Sequence, residues 1–142
     1  MLIEEAKNQR EDIAAILSAE KLPVDDLPET LDNFLIATEN GKLIGVAGME
    51  VYGTYGLLRS VAVLAEYRGK GVAAKLIARL ESEAASRGLK NMYLLTETAP
   101  EYFAAKGFQK ISRDDVPNEI MRSSEFSHVC PVSAIVMKKK LG

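Results

Sequence analysis

Residues 67–89, YRGKGVAAKLIARLESEAASRGL, put an arginine, two glycines and a lysine directly ahead of a long helical pattern. Val72, Leu76, Ile77 and Leu80 form the apolar stripe of a helix over Val72 to Arg87, and Gly88 stops it. A strand pattern, GLLRSVAV (56–63), leads into the loop, and a buried strand, NMYLLT (91–96), follows the helix. Unpaired N–H groups and the positive end of the helix dipole converge where such a loop enters its helix, so the junction suits an anion. Gly69 and Gly71 let the backbone approach that anion without a Cβ in the way, and Arg68 and Lys70 add charge. The spacing is neither that of a P-loop nor that of a dinucleotide fingerprint. Taken without its context, a solvated glycine-rich turn ahead of a surface helix fits the loop equally well.

The rest of the chain has a mixed strand and helix pattern. Met1 to Ala6 reads as a first strand, and Asp12 to Ala19 sets Ile13, Ile16 and Leu17 at helical spacing. EKLPVDDLPETL (20–31) holds two prolines among Glu20, Asp25, Asp26 and Glu29, which suits a loop or a short broken helix. Asn40-Gly41 joins two apolar stretches of residues 33–53 as a hairpin, because both turn positions tolerate positive φ. APEYFAAKG (99–107) reads as a short helix capped by Gly107, and SAIVMKKKL (133–141) as a last strand.

With 142 residues the chain has the length of one domain, 1–142. The 47% hydrophobic and 27% charged content is that of a soluble globular protein. No apolar run reaches the roughly 20 residues of a membrane span, and no basic start with an apolar block marks a secretory signal. A cytoplasmic location and no membrane partner follow as expectations. Cys130 is the single cysteine and His128 the single histidine, which excludes an intramolecular disulfide and a structural zinc cage, so no metal is expected. A net charge of −2 argues against a nucleic-acid partner.

The run LLRSVAVLAEYRGKGVAAKLIARLESEA resembles motif A of the GNAT superfamily of acetyl-CoA-dependent N-acetyltransferases, whose hallmark [RQ]-x-x-G-x-[GA] here reads Arg68-Gly69-Lys70-Gly71-Val72-Ala73. AAKGF (104–108) supplies the Gly-Phe that closes motif B, so the resemblance covers roughly residues 33–110. It implies an α+β fold with a mixed, mostly antiparallel central sheet, a splayed parallel strand pair and flanking helices. The anion at the loop would be the pyrophosphate of acetyl-CoA, on Arg68, Gly69, Lys70, Gly71, Val72, Ala73 and Ala74. Val63 would bond pantetheine, and the Val61 N–H would face the thioester oxygen. The implied reaction is direct transfer of acetyl to an amine in a ternary complex, and the resemblance leaves room for a homodimer.

The departures from the family pattern concern the acceptor side. The strand glutamate that many members carry is absent, Leu57 and Arg59 standing at its positions, and Phe103 replaces the usual tyrosine acid, with Tyr102 one step earlier. A proton route through Tyr102, Tyr52, Tyr55, Thr96 or Glu97 stays open, as does departure of an unprotonated thiolate. Alternation sets Arg59 on the face of Val61 and Val63, where a guanidinium fork suits a carboxylate, phosphinate or arsinate. The other reading of Arg59 is a structural pair with a local acid such as Glu97 or Glu101.

Residues 93–141 also look like the C-terminal part of the acetyltransferase domain of N-acetylglutamate synthases, through Leu95-Thr96, Tyr102-Phe103, Val116-Pro117 and Ser133, although Pro131 stands where the synthases carry an arginine. Ser133 is accordingly expected to bind substrate. Nearly the whole chain resembles small GNATs encoded with arsenic-resistance operons, in its DDLP start, LLRS strand, YLLTETA block and CPVSA tail. A related resistance family acts on glutamate analogues such as phosphinothricin. The i, i+2 spacing of His128 and Cys130 would put them on one face of a strand, where packing or substrate lining is the expected role rather than nucleophilic chemistry. The alternative to an enzyme is a degenerate GNAT that binds acyl-CoA as a sensor or interaction module.

Overall fold

The chain runs through β1 (Leu2–Glu5), α1 (Arg10–Ala19), β2 (Phe34–Glu39), β3 (Lys42–Tyr52), β4 (Tyr55–Val63), α2 (Val72–Ser86), β5 (Asn91–Thr96), α3 (Pro100–Ala105), β6 (Gln109–Ile111), α4 (Asn118–Met121) and β7 (Ile135–Lys140). This is a computed structural model, and it describes residues 1–22, 24–123 and 134–141. Among them the strands follow the sheet order β1-β2-β3-β4-β5-β7-β6. The sheet is mostly antiparallel with one parallel pair, β4 beside β5, which is the architecture the resemblance implied. That parallel register covers Tyr55–Leu57 against Asn91–Tyr93, and β4 runs on to Val63 and β5 to Thr96.

Two compact units can be told apart, Met1–Met49 with Arg59–Ser82, and Glu50–Leu58 with Glu83–Gly142. In the first, Asn40 (φ 51°) and Gly41 (φ 80°) close the β2–β3 hairpin with the two left-handed residues such a turn requires. α1 turns Ile13, Ile16 and Leu17 into a cluster with Phe34, Ile36, Val46 and Ala62. Each aliphatic side chain buried this way contributes roughly 1.5–3 kcal/mol. Gly48 is part of that packing, since a Cβ there would lie 2.5 Å from the Phe34 ring. On α2, Val72 and Leu76 approach Gly45 as closely as its bare Cα allows.

In the second unit, β7 pairs with β5 over six residues and with β6 over three. Leu57, Tyr93, Val116, Ile120 and Val136 form its core. α3 starts at Pro100 and ends where Gly107 takes φ 97°, with Phe108 N–H bonded back to Phe103 O at 3.0 Å. The strand expected over 133–141 occupies Ile135–Lys140. β6 and α4 have no counterpart in the sequence reading, because elements of three or four residues are too short to show a period.

Candidate functional site

Two left-handed glycines shape the loop ahead of α2. Gly69 has φ 78° and Gly71 φ 79°, and a Cβ added to either meets no heavy atom within 4 Å. Gly71 O accepts the first helical bond from Lys75 N–H at 3.1 Å, so Gly71 caps the helix. The N–H groups of Val72, Ala73 and Ala74 are then the ones a helix leaves without an internal partner, at the positive end of its dipole. Val72 divides its roles, with a buried side chain in the core and its N–H at the helix start. Lys70 Nζ stands 5.5 Å from the centre of the Tyr67 ring, and Lys42 Nζ stands 5.9 Å from it. Arg68 folds back instead. Its guanidinium pairs with Glu20 at the end of α1, and its Nε donates to Val63 O at 3.4 Å.

The middle of β4 corrects the expectation for Arg59. Ser60 has φ 58°, a left-handed conformation inside the strand, and the turn it puts into the backbone breaks the regular alternation of side chains there. Arg59 therefore does not share the Val61 and Val63 face by simple alternation. Its fork is closed on Asp26, with Nη1 donating to Oδ2 at 3.0 Å and Nη2 to Oδ1 at 2.8 Å, and its Nε donates to Ser60 Oγ at 3.1 Å. The partner acid is neither Glu97 nor Glu101 but a residue of the acidic loop. Arg59 and Asp26 side chains are 0% and 7% exposed. That loop is also held to α1, where Arg10 donates to the carbonyls of Pro28 and Glu29.

In the second unit, Thr96 is buried and its Oγ1 accepts from Ala99 N–H at 3.1 Å, which fixes the turn into α3. Glu97 is exposed. Tyr102 is partly exposed on α3, in edge contact with Phe103 at 5.3 Å and with Lys106 Nζ 5.4 Å from its ring centre. Desolvation by burial raises the Tyr102 hydroxyl above the usual tyrosine value, so the group stays protonated and able to donate at neutral pH. Tyr55 packs edge-on against Tyr93 at 6.0 Å. The Tyr52 hydroxyl donates to Glu50 Oε1 at 3.0 Å.

Asp26 and Glu50 are the polar residues that sequence reasoning passed over. Glu50 and Tyr52 sit two apart on β3, a spacing that offers a signal. Asp26 shows only as one of several acids in a loop. Ser133, His128, Cys130 and Pro131 lie outside the described residues. A cavity of about 410 Å³ lined by Glu5, Lys7, Arg10, Glu29, Thr30 and Asp32 contains none of the expected site residues. Among the described residues no cluster of acids, histidine or cysteine could hold a metal ion, and no helix is long and apolar enough to cross a membrane.

The sequence profile of the Acetyltransferase (GNAT) family matches residues 4–110. An uncharacterized N-acetyltransferase of Chlorobaculum tepidum is 30% identical over 104 residues, 72% of this chain and 66% of the relative. The amino-acid acetyltransferase of Aeromonas salmonicida is 26% identical over 100 residues, 69% of this chain but 23% of its own length. The chain thus spans about two thirds of one relative and under a quarter of the other. Among solved structures, N-acetylglutamate synthase from Neisseria gonorrhoeae, complexed with coenzyme A and N-acetyl-glutamate, superposes with a TM-score of 0.84 at 21% identity, over 99% of this chain and 35% of that one. Rv2747 from Mycobacterium tuberculosis, in complex with CoA and NLQ, reaches a TM-score of 0.84 at 24% identity over the full length of both chains. At these identities the superpositions speak for the fold.

Proposed function

The chain belongs to the acetyltransferase (GNAT) family, and from that premise we propose that it carries acetyl from acetyl-CoA to the amine of a small, carboxylate-bearing acceptor. The observation that carries the reading is the pair of left-handed glycines whose Cβ positions face open space at the start of α2. Pyrophosphate would lie on the N–H groups of Gly69, Gly71, Val72, Ala73 and Ala74, with Lys70 contributing charge and Arg68 contributing once it turns from Glu20. Val63 would pair with pantetheine. The Val61 N–H would meet the thioester oxygen as negative charge develops on it. The acceptor nitrogen attacks the thioester carbon, the C–N bond forms, the C–S bond breaks and coenzyme A leaves as thiolate. Tyr102, protonated at neutral pH, is the proposed donor to that sulfur, and the proton that the nitrogen sheds as the amide forms passes to the Glu97 carboxylate and on to solvent, with Thr96 a further polar group of the route.

A carboxylate on the acceptor is supported by the relatives, amino-acid acetyltransferases by name and a synthase solved with N-acetyl-glutamate. Acceptors of that shape include phosphinate and arsinate analogues of glutamate, the chemistry that an arsenic-resistance setting would supply. A second reading, an acyl-CoA-binding module without turnover, is favoured by one observation. Leu57 and Arg59 stand on β4 where many family members carry a glutamate, and neither side chain can act as a base.

Acetyl-CoA should raise the melting temperature, because a ligand bound only by the native state stabilises it. Gly71→Val should abolish that rise while the variant still folds, and thiol release should appear when an amino-acid panel is added to the parent. A Gly71→Val variant stabilised by acetyl-CoA like the parent would refute the pyrophosphate placement, and a melting shift without turnover on any amine would favour the binding module.

A further inference from the structure

The ion pair between Asp26 and Arg59 has no part in the transfer as described above, yet it is nearly dry. Withdrawing two charges from water is costly and is offset only by excellent geometry with the remaining donors satisfied. Here the fork meets the carboxylate with both arms, Nη1 also reaches Asp26 O at 3.3 Å, and Nε is used on Ser60 Oγ. One guanidinium thus joins the acidic loop to the left-handed residue of β4. Ser60 is not glycine, and its φ of 58° is a conformation that side-chain-bearing residues keep only where their surroundings over-determine it. The dihedrals of Ser60 aim the next peptide plane, and the N–H of that plane belongs to Val61.

We infer that Asp26 and Arg59 are positioning residues, a tie that holds Ser60 in its left-handed conformation so that the Val61 N–H points where the thioester oxygen arrives. The inference rests on the proposed role of Val61. Arg59 is then no anchor for the acceptor. A substrate carboxylate that displaced Asp26 would leave a buried acid without its partner, at the full desolvation cost of that group.

The test uses the full chain and a double variant, Asp26→Leu with Arg59→Met, because exchanging a buried ion pair for apolar side chains often leaves stability unchanged or raised. Thiol release from acetyl-CoA is followed with L-glutamate, L-glutamine, a phosphinate analogue of glutamate and putrescine. For whichever amine the parent turns over, kcat should fall about tenfold or more, since a misaimed oxyanion donor loses most of its effect. The KM for acetyl-CoA should hardly move, and the melting temperature should stay at or above that of the parent. Adding Ser60→Gly, which takes a positive φ without strain, should restore part of kcat. The Ser60 and Val61 amide resonances should shift in the double variant and move back in the triple. Asp26→Asn keeps the side-chain shape and replaces the double variant if that does not fold, with the same direction of change in kcat.

Parental kcat in these variants overturns the tie. So does a gain in activity confined to the anionic amines, the signature of an Arg59 that binds acceptor once Asp26 is gone. If the parent acetylates none of the four amines, the proposed acceptor fails by itself. The tie is then decided by the resonances, and unmoved Ser60 and Val61 signals overturn it.

Discussion

The loop ahead of α2 and the centre of β4 lie within the same unit and are built on opposite principles. At the loop the backbone is the working part. Gly69 and Gly71 take φ near 78° with open space on their Cβ side, and the helix that follows supplies N–H groups whatever side chains it carries. At β4 the side chains are the working part. Arg59 reaches an acid 33 residues away and a serine next to it. A backbone site asks only for residue types that permit a conformation. A side-chain site asks for a partner that tertiary folding must deliver.

The contrast is sharpest in how each region responds to loss of a single group. Truncating one member of the tie, Asp26→Ala or Arg59→Ala, should cost about 3–5 kcal/mol in urea unfolding, because the other charge stays buried without its opposite charge. The double apolar exchange should leave stability unchanged or raised, and equal losses in single and double variants would mean that packing, not charge, is what the pair contributes. Gly69→Ala should cost about 1–2 kcal/mol, all of it from forcing a Cβ-bearing residue to φ 78°, since nothing stands within 4 Å of the new methyl. A larger loss would show that the loop is packed rather than open. Arg68→Ala should change stability by only about 0–1 kcal/mol, because its pair with Glu20 is half exposed and screened. If Arg68 also helps hold pyrophosphate, acetyl-CoA binding should weaken in that variant more than stability does, which titration calorimetry would register.

Periodicity and turn chemistry were enough to read the long elements. The α1 and α2 stripes, the Asn40-Gly41 hairpin, β5 and the glycine stops at Gly88 and Gly107 are all local, each set by residues within a few positions of one another. The glycine loop was legible for the same reason. β6 and α4 were not, since three or four residues carry no measurable period and form only where β7 and the Val116–Ile120 core receive them.

Polar roles depend on distance in space, and there the chain read alone misleads. Arg59 counted as a cleft-facing cation because strands alternate, and a single left-handed serine after it removes that inference. Asp26 was one acid among several in a proline-bearing loop, with nothing in its neighbours to single it out. Thr96 Oγ1 accepts the Ala99 N–H, a bond that a strand pattern does not show in advance. The sequence by itself determined where the backbone could turn, which faces are apolar and where an anion would be welcome, because those follow from φ preferences and short-range spacing. Only the tertiary structure decided that Arg59 belongs to Asp26, because an ion pair between residues 33 apart forms only once packing has brought them to hydrogen-bonding distance and excluded the water that would otherwise solvate both.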